Sequence, residues 1–341
     1  MCGVSIHNPE EEPPNLKRPK VSVCIPSYNC SRYLPEAIES VLEQEFRDFE
    51  LLIIDDASTD GSRAVIERYV ALDRRIAGQS NPVNLGAVPN WNQCLARAKG
   101  DYVKFLCCDD TLVTAQALGI LAGLLEASPS AVLAASARNI IDEHSRVTEV
   151  CDALAAPGLG SGHEVVARCL EQNANLIGEP SAVLFRRRNA ARGFDGRYRQ
   201  IVDMEMWFHL LEQGDIVYTS QPLCSFRQHS QQLTAFNRAN RLGVLEQTML
   251  LNDYFPRPWL RQRLSPKALF IQSYYLRKGP GERPASAAIE RQMLEKLGRW
   301  RYAALWLRHK AITPCFKLQR FLQERIRIKS PKLPRIPTNG C

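Results

Sequence analysis

The chain has 341 residues, 45% of them hydrophobic, and its formal net charge of +8 is unevenly distributed. Residues 256–341 hold 20 Lys and Arg against 4 Asp and Glu, which is +16 and leaves −8 on residues 1–255. This length accommodates a catalytic domain with a smaller appendage, and no uncharged apolar run is long enough to span a bilayer. The sequence therefore predicts a catalytic domain over residues 20–236 and a basic, mainly helical extension over residues 237–341.

The eleven cysteines are odd in number, are scattered along the chain, and include no Cys-x-x-Cys pair. Such usage is typical of a reducing compartment and argues against a structural zinc site. The first residues also lack a basic segment followed by an apolar one, so no secretory signal is expected. We therefore predict a cytoplasmic protein whose residues 1–19, polar and rich in proline, form a flexible arm.

Apolar runs alternate with helical periodicity through the first part of the chain. Because strands that alternate with helices form parallel sheets, this order predicts an α/β fold. The expected sheet is Rossmann-like and mostly parallel, and helices flank it. Strands are predicted at 21–25, 49–54, 75–79, 102–106 and 131–137, and helices at 34–45, 64–70, 88–98 and 115–126.

The pattern after residue 137 is less regular, and residues 140–161 are predicted to form a mobile loop. Helices are expected at 163–172 and 202–212, and strands at 181–186, 215–219 and 223–227. We divide the catalytic domain into a nucleotide-sugar half, 20–137, and an acceptor half, 138–236. In the extension, helices are expected at 242–254 and 266–277, and basic–apolar stretches at 299–310 and 316–329.

Polar side chains follow three of the predicted strands where each one ends. Tyr28 follows the first strand, Asp56 the second, and the adjacent Asp109 and Asp110 the fourth. Two unpaired carboxylates repel each other, and Mg²⁺ or Mn²⁺ would relieve that repulsion. An acidic turn in which Asp110 caps a helix is the alternative. The convergence of strand ends at one sheet edge favours a metal–diphosphate site.

Five segments, in this order, resemble the motifs of glycosyltransferase family 2. They are Val21–Asn29, Phe49–Ser62, Asn84–Gly86, Ala98–Tyr102 and Phe226–His229. Each segment is a weak signal by itself, but their order and spacing over residues 20–235 match the family. The resemblance implies the nucleotide-sugar-binding glycosyltransferase A fold.

The resemblance implies a donor site for a nucleotide-diphosphate sugar. Tyr28 would stack on the base, and Asp56 would accept a base N–H, which favours uracil or thymine. Asp109 would hold the ribose or assist the metal, and Asp110 would bind Mn²⁺ or Mg²⁺ together with His229. Structural roles are the alternatives: a helix cap for Asp56 and a plug at the sheet edge for Tyr28. The implied nucleotide-sugar contacts are Pro26, Tyr28, Asn29, Asp56, Asn84, Gly86 and Asp109.

The family places an acidic pair before a Trp-containing helix, and Asp203 falls on the position of its catalytic Asp. Val202 replaces the preceding Glu of the family pattern, so a simple helix cap at Asp203 is the alternative. As general base, Asp203 would deprotonate the acceptor hydroxyl in a single displacement that inverts configuration. The side chains of Glu179, Glu205 and Arg227 are further candidates for acceptor or diphosphate contacts.

One departure from the family lies next to the metal motif, where Cys107 and Cys108 stand near a position that is often Asp. Cysteine is a soft ligand, so we interpret both as small apolar fillers. The acceptor is expected to be a saccharide or a lipid-linked saccharide, and the basic extension is expected to contact anionic membrane at the cytoplasmic face.

Two other function classes compete with the glycosyltransferase. A metal-dependent nucleotidyltransferase would need a glycine-rich phosphate loop, but residues 26–32 contain no glycine. The alternative of a non-enzymatic basic module that binds membrane or nucleic acid is supported by the composition of the extension alone. No nucleic-acid motif occurs, so nucleic acid is not an expected partner.

Overall fold

The computed structural model describes residues 18–230, 232, 242–270, 272, 283–298 and 300–307. The chain forms two compact units, Met1–Arg263 and Leu264–Cys341. The first unit extends past residue 236, so it contains the last two helices before residue 264. Within the ranges that the structure describes, no helix is long and apolar enough to cross a membrane.

Strands and helices alternate through the first part of the chain, as the sequence predicts. This part contains β1 (Val21–Ser27), α1 (Leu34–Leu42), β2 (Phe49–Asp55), α2 (Ser62–Leu72), β3 (Ile76–Ser80), α3 (Ala87–Arg97), β4 (Tyr102–Phe105), β5 (Thr111–Leu112), α4 (Ala117–Ala127) and β6 (Ala131–Ile141). The rest of the first unit contains β7 (Val147–Cys151), β8 (Gly158–Gly160), α5 (Gly162–Gln172), β9 (Val183–Arg186), α6 (Val202–Leu211), β10 (Asp215–Arg227), α7 (Leu242–Tyr254) and α8 (Pro258–Arg263).

The ten strands of the described residues belong to one sheet with the order β3-β2-β1-β4-β9-β6-β10-β5, where β7 pairs with β6 and β8 with β10. The neighbours from β3 to β4 are parallel. The short strand β9 then lies between β4 and β6 and is antiparallel to both. The predicted α/β class is confirmed, and the sheet is mixed because β9 separates its two parallel groups.

Helix α1 shows why these sequences form these elements. Its apolar residues Leu34, Ala37, Ile38 and Val41 are all buried, and their spacing places them on one helix face. They join a core formed with the apolar residues of β1 and β2. Burial of each Leu or Ile side chain stabilises the fold by roughly 1.5–3 kcal/mol.

The parallel register fixes where the strands end. Ser27 at the end of β1 is the partner of Asp55 at the end of β2. On the other side of β1, Cys24 is the partner of Phe105, the last residue of β4. The loops that follow β1, β2 and β4 therefore leave the sheet at one edge, and they bring together residues far apart in sequence.

The second half of the first unit differs from the prediction in two places. Residues 140–161, predicted to be a mobile loop, contain β7 and β8. Strand β10 is one strand over Asp215–Arg227 where two were predicted, with register shifts on both sides of Pro222. Because proline has no N–H to donate to a ladder, an irregularity at that position lets the strand continue.

The described part of the second unit is helical. Helix α9 covers Arg283–Leu297, and residues 300–307 are also helical. The rings of Phe270 and Tyr302 lie 5.4 Å apart. Residues 266–270 and 272 of the helix predicted at 266–277 are helical, while the other half of that helix, residues 1–17 and the basic–apolar stretch at 316–329 lie outside the described residues.

Candidate active site

A cavity of about 570 Å³ opens where β1, β2 and β4 end. Loops after these strands form its wall, together with the start of α3 and residues that follow β10. The structure thus brings the predicted donor-site residues into one space, although they span 200 positions of sequence. Eight of them lie on the wall: Pro26, Tyr28, Asn29, Asp56, Asn84, Gly86, Asp109 and His229.

Tyr28 lines the cavity, and the residue is 50% exposed. The next residue, Asn29, has a positive φ of 48°, a conformation that asparagine tolerates better than most residues. Its side-chain oxygen accepts the N–H of Thr59 at 2.8 Å, and its own N–H donates to the Ser58 hydroxyl at 2.8 Å. These bonds fix the loop after β1 to the loop after β2.

Asp56 is 2% exposed and binds the loop before α3. One carboxylate oxygen accepts the N–H of Leu85 at 2.9 Å and the side-chain amide of Asn81 at 2.8 Å. The other oxygen accepts the N–H of Gly86 at 2.8 Å. Gly86 has a φ of +89°, which glycine adopts without strain. Asp56 is therefore not a cap for α2, where Asp60 instead accepts the Ser62 N–H at 2.9 Å.

Asp109 and His229 face each other across the cavity wall. The carboxylate Oδ2 of Asp109 lies 3.0 Å from Nε2 of His229. The imidazole ring also packs against Tyr33, with ring centroids 5.0 Å apart. A carboxylate and an imidazole, 120 residues apart in sequence, thus stand side by side at the end of β4.

Asp110 is fully buried and does not lie on the cavity wall. Its Oδ1 accepts the N–H of Arg227 at 2.9 Å, and its Oδ2 accepts the Ser181 hydroxyl at 2.5 Å. Burial, with the charge of Asp109 as a second cause, raises the pKa of Asp110 well above its usual range. Of the two carboxylates, it is Asp109 that lies on the cavity wall, and Asp110 joins three chain segments behind it.

The two cysteines of this loop have different surroundings. Cys108 packs against the hydrophobic core, as expected for an apolar filler. The thiol of Cys107 instead belongs to a group with the carboxylates of Asp109 and Asp110, whose ligand atoms lie within 4.8 Å of one another. Burial, followed by the nearby charges of Asp110 and Asp109, raises the pKa of the Cys107 thiol.

Asp203 lies in the first turn of α6 and is partly exposed. Its Oδ2 accepts a hydrogen bond from the Asn175 side chain at 3.0 Å. Loss of hydration in this environment raises the pKa of Asp203 to about 7, and the charge of Glu179 acts in the same direction. A carboxylate with such a pKa can take a proton near neutral pH.

Glu179 lies on the same side of the molecule as Asp203, close enough for its charge to act on that carboxyl group. Its carboxylate forms an ion pair with Arg138 of β6. Nearby, Trp207 donates its indole N–H to the carbonyl of Gly178 at 3.0 Å, which fixes the turn before Glu179. Arg138 was not among the predicted site residues. The feature of the sequence that could have indicated it is a single Arg within the apolar run Ala131–Ile141.

Glu205 and Arg227 lie away from the cavity wall and make structural contacts. The carboxylate of Glu205 is buried and accepts two bonds from Arg192, at 2.8 and 2.6 Å, and one from Tyr254 at 2.8 Å. The guanidinium of Arg227 is also buried. It donates to the carbonyl of Asp109 at 2.7 Å and to Glu36 at 2.7 Å.

Ser181 is a second residue whose role the sequence did not reveal. Its hydroxyl accepts the N–H of Cys107 at 3.0 Å while donating to Asp110. Its carbonyl accepts a bond from the ammonium group of the fully buried Lys104. Burial lowers the pKa of Lys104 to about 8. The turn after Glu179 is thereby joined to the loop after β4.

An open α/β sheet with an aromatic and several carboxylates at one strand-end edge is the arrangement expected of a nucleotide-sugar-binding glycosyltransferase. The model of the family described as "Glycosyl transferase family 2" matches residues 22–151. The putative glycosyltransferase EpsE of Bacillus subtilis is 30% identical over 212 residues, which are 60% of this chain and 70% of EpsE. The chain belongs to glycosyltransferase family 2.

Solved structures with low sequence identity share the fold. Staphylococcus aureus TarS 1-349 in complex with UDP-GlcNAc has a TM-score of 0.53 and 16% identity, with 81% of this chain and 71% of TarS covered. The mannosyltransferase PcManGT of Pyrobaculum calidifontis, in complex with GDP-Man and Mn²⁺, has a TM-score of 0.52 and 16% identity, with 87% of each chain covered. Of the three function classes considered from the sequence, the glycosyltransferase is confirmed.

Proposed function

We propose that this chain transfers a sugar from a UDP- or dTDP-linked donor to a hydroxyl of a saccharide or lipid-linked saccharide. The observation that carries the proposal is the single cavity wall that presents Tyr28, Asp56, Asp109 and His229. An exposed aromatic face, a fixed carboxylate and a carboxylate–imidazole pair are the groups that a base, a ribose and a diphosphate would require. Proteins of the same fold bind nucleotide sugars, UDP-GlcNAc in TarS and GDP-Man in PcManGT, which supports a nucleotide-sugar donor of either kind.

The donor end of the site divides its tasks between the loops. Tyr28 stacks on the base, which an exposed aromatic face favours. Asp56 faces the cavity with a carboxylate already held by the N–H groups of Leu85 and Gly86. Because these bonds hold the carboxylate before a ligand arrives, binding costs less conformational entropy. Asp56 then accepts the imide N–H of uracil or thymine.

The residues beside the diphosphate position suit a divalent cation. Asp109 Oδ2 and His229 Nε2 are 3.0 Å apart on the wall, and carboxylate and imidazole are both ligands that Mn²⁺ accepts. We propose that Asp109 and His229 hold the cation while Asp110 fixes the loop from behind. When bound, the cation neutralises negative charge on the diphosphate leaving group.

Asp203 is the proposed general base. Its pKa of about 7 leaves a large fraction of the carboxyl group ionised at neutral pH, and the resulting carboxylate is basic enough to accept the hydroxyl proton. Asn175 holds one oxygen of the carboxylate, which orients the other toward an acceptor. A hydroxyl activated here attacks the anomeric carbon from the face opposite the diphosphate, so the configuration of the sugar inverts.

Thermal unfolding with nucleotides tests the donor assignment. The full chain is heated with UDP, dTDP, GDP, CDP or ADP, each with Mn²⁺, Mg²⁺ or EDTA. UDP or dTDP with a divalent cation should stabilise the protein, by about 2.7 kcal/mol at a ligand concentration of 100 Kd. The D109N variant should lose the part of this stabilisation that depends on the cation. D101N, with its side chain 67% exposed at the other end of β4, is the matched control.

Either of two outcomes would contradict this assignment. If GDP or ADP stabilised the chain and UDP and dTDP did not, Tyr28 and Asp56 would not form a site for uracil or thymine. No shift with any nucleotide, from a chain that unfolds cooperatively, would remove the donor site itself.

We further propose that the second unit contacts an anionic membrane, where a lipid-linked acceptor would be found. The support is the described segment 300–307, where Trp300 is 90% exposed and Arg301 is its neighbour. The chain should sediment with vesicles that contain phosphatidylserine, and it should dissociate from them as the salt concentration is raised. The W300A variant should bind these vesicles more weakly. Equal binding to neutral phosphatidylcholine vesicles, or none at low salt, would refute the contact.

A further inference from the structure

A thiol and two carboxylates lie close together where β4 ends, and an imidazole lies beside one of the carboxylates. The thiol of Cys107 lies within 4.8 Å of carboxylate oxygens of Asp109 and Asp110. The Cys107 N–H donates to Ser181 at 3.0 Å, which fixes the backbone that carries the thiol. Nε2 of His229 lies 3.0 Å from Asp109. The group of Cys107, Asp109 and Asp110 therefore offers sulfur and oxygen ligands, and the nitrogen of His229 lies beside the Asp109 carboxylate.

Not all of these atoms are equally available to a cation. Both oxygens of Asp110 already accept bonds, from the Arg227 N–H and the Ser181 hydroxyl, and the side chain is fully buried. Cys107, Asp109 and His229, in contrast, all lie on the cavity wall. Of the group of Cys107, Asp109 and Asp110, the thiol and the Asp109 carboxylate thus face the cavity, where the imidazole of His229 is bonded to that carboxylate.

The chemistry of this set differs from that of an all-carboxylate site. Mg²⁺ prefers hard oxygen ligands and keeps several waters. Zn²⁺ and Cd²⁺ bind thiolate strongly, and three protein ligands of mixed N, O and S type with one open position are common for zinc. One thiol in place of a carboxylate therefore changes which cation the site favours, while the open position still faces the cavity.

We propose that Cys107 is a metal ligand and that the site takes a thiophilic divalent cation, Zn²⁺ or Cd²⁺, in preference to Mg²⁺. The proposal rests on the proposed function, because it places the cation beside the diphosphate position. Binding replaces the S–H bond with a sulfur–metal bond, and the thiol proton passes to solvent. No electron is transferred, so the step needs no oxidant or reductant.

Cadmium titration of the full chain tests the ligand directly and needs no nucleotide. Coordination of Cd²⁺ by a thiolate gives an ultraviolet charge-transfer band. C107S should lose the part of the band that saturates first and should bind Cd²⁺ about tenfold or more weakly. C108S keeps the same number of thiols as C107S, with the change one residue away, and should titrate like the parent chain.

A second variant tests the preference between cations. C107D supplies a hard oxygen at the same position, so Cd²⁺ should bind more weakly than in the parent and Mg²⁺ more tightly. Unfolding midpoints measured in EDTA show whether each variant remains folded. The inference is overturned if C107S and the parent titrate alike with Cd²⁺, or if C107D leaves the Cd²⁺ to Mg²⁺ ratio unchanged.

These results separate the inference from the proposed function. A Cys107-dependent band in a chain that no nucleotide stabilises would keep the metal site and remove the donor site. Nucleotide stabilisation that is equal in Mg²⁺ for the parent and C107S, without a Cys107-dependent band, would keep the donor site and remove Cys107 as a ligand.

Discussion

Replacing Asp203 with Asn should lower the rate of sugar transfer by about 10²- to 10⁴-fold, the usual contribution of a general base. The amide has nearly the same shape but cannot accept the hydroxyl proton. Asp203 does not lie on the donor cavity wall, so stabilisation by UDP and a cation should remain unchanged. Transfer is measured as nucleoside diphosphate released under single-turnover conditions. The control is the variant E212Q. Glu212 is an acidic residue just after the same helix and is paired with Arg257, so this variant should transfer sugar at the parental rate.

The pH dependence gives an independent check on the same residue. The deprotonated carboxylate is the active form, so the rate of the parent chain should rise as pH increases through about 7. The residual rate of D203N should lack this rise. A parental rate that is flat between pH 6 and pH 8, or a D203N variant that loses UDP binding, would contradict the assignment.

The same pKa predicts a change in stability with the opposite sign. The folded-state pKa of Asp203 is raised from 3.8 to about 7, so the folded chain holds this proton more tightly than the unfolded chain. Its contribution to stability is fully present below the unfolded pKa and is lost as pH rises through the folded pKa. Relative to D203N, the parent chain should therefore become less stable as the pH rises from 5 to 8.

Replacing Arg227 with Met should lower the free energy of unfolding by about 1–3 kcal/mol, the range for leaving buried acceptors without their donor. The guanidinium is 1% exposed and pairs at 2.7 Å with Glu36, whose side chain is 45% exposed. It also donates to the carbonyls of Asp109 and Asp142, at 2.7 and 3.2 Å. Methionine has a similar length but no donors, so these acceptors would lose their partners. The change is measured by urea unfolding in EDTA.

An exposed ion pair of the same type provides the control. Arg63 pairs with Glu67 at 2.8 Å, with both side chains more than 60% exposed. R63M should change stability by no more than about 0.5 kcal/mol, because exposed pairs within one helix contribute little. If R227M and R63M have equal effects, Arg227 does not hold the loop after β4.

The sequence was sufficient to predict the edge where the site lies. Tyr28, Asp56 and Asp109 follow the ends of strands β1, β2 and β4, and the parallel order of these strands brings the three residues together. A strand was also predicted at 181–186, where β9 lies, but its place between β4 and β6 could not be predicted. Three of its residues pair with β4 about 80 positions earlier in the chain, and local periodicity carries no information about such a partner.

The choice between neighbouring carboxylates was also beyond local patterns. Asp109 and Asp110 are adjacent, and only Asp109 reaches the cavity wall because Arg227 and Ser181 hold Asp110, from 117 and 71 residues away. Glu205 was treated as a site candidate because it is near Asp203. Its partner Arg192 lies on another segment, where nothing in the sequence marks the pairing.

The bonds of Asp110 also limit how modular this enzyme is. The carboxylate belongs to the predicted nucleotide-sugar half, 20–137, but both of its donors come from the predicted acceptor half, 138–236. A shortened chain that stops within the acceptor half before Arg227 would keep the donor-binding loops yet lack the backbone N–H that fixes one of them. A chimera that exchanges acceptor halves between relatives must therefore retain a hydroxyl at position 181 and an extended backbone through position 227.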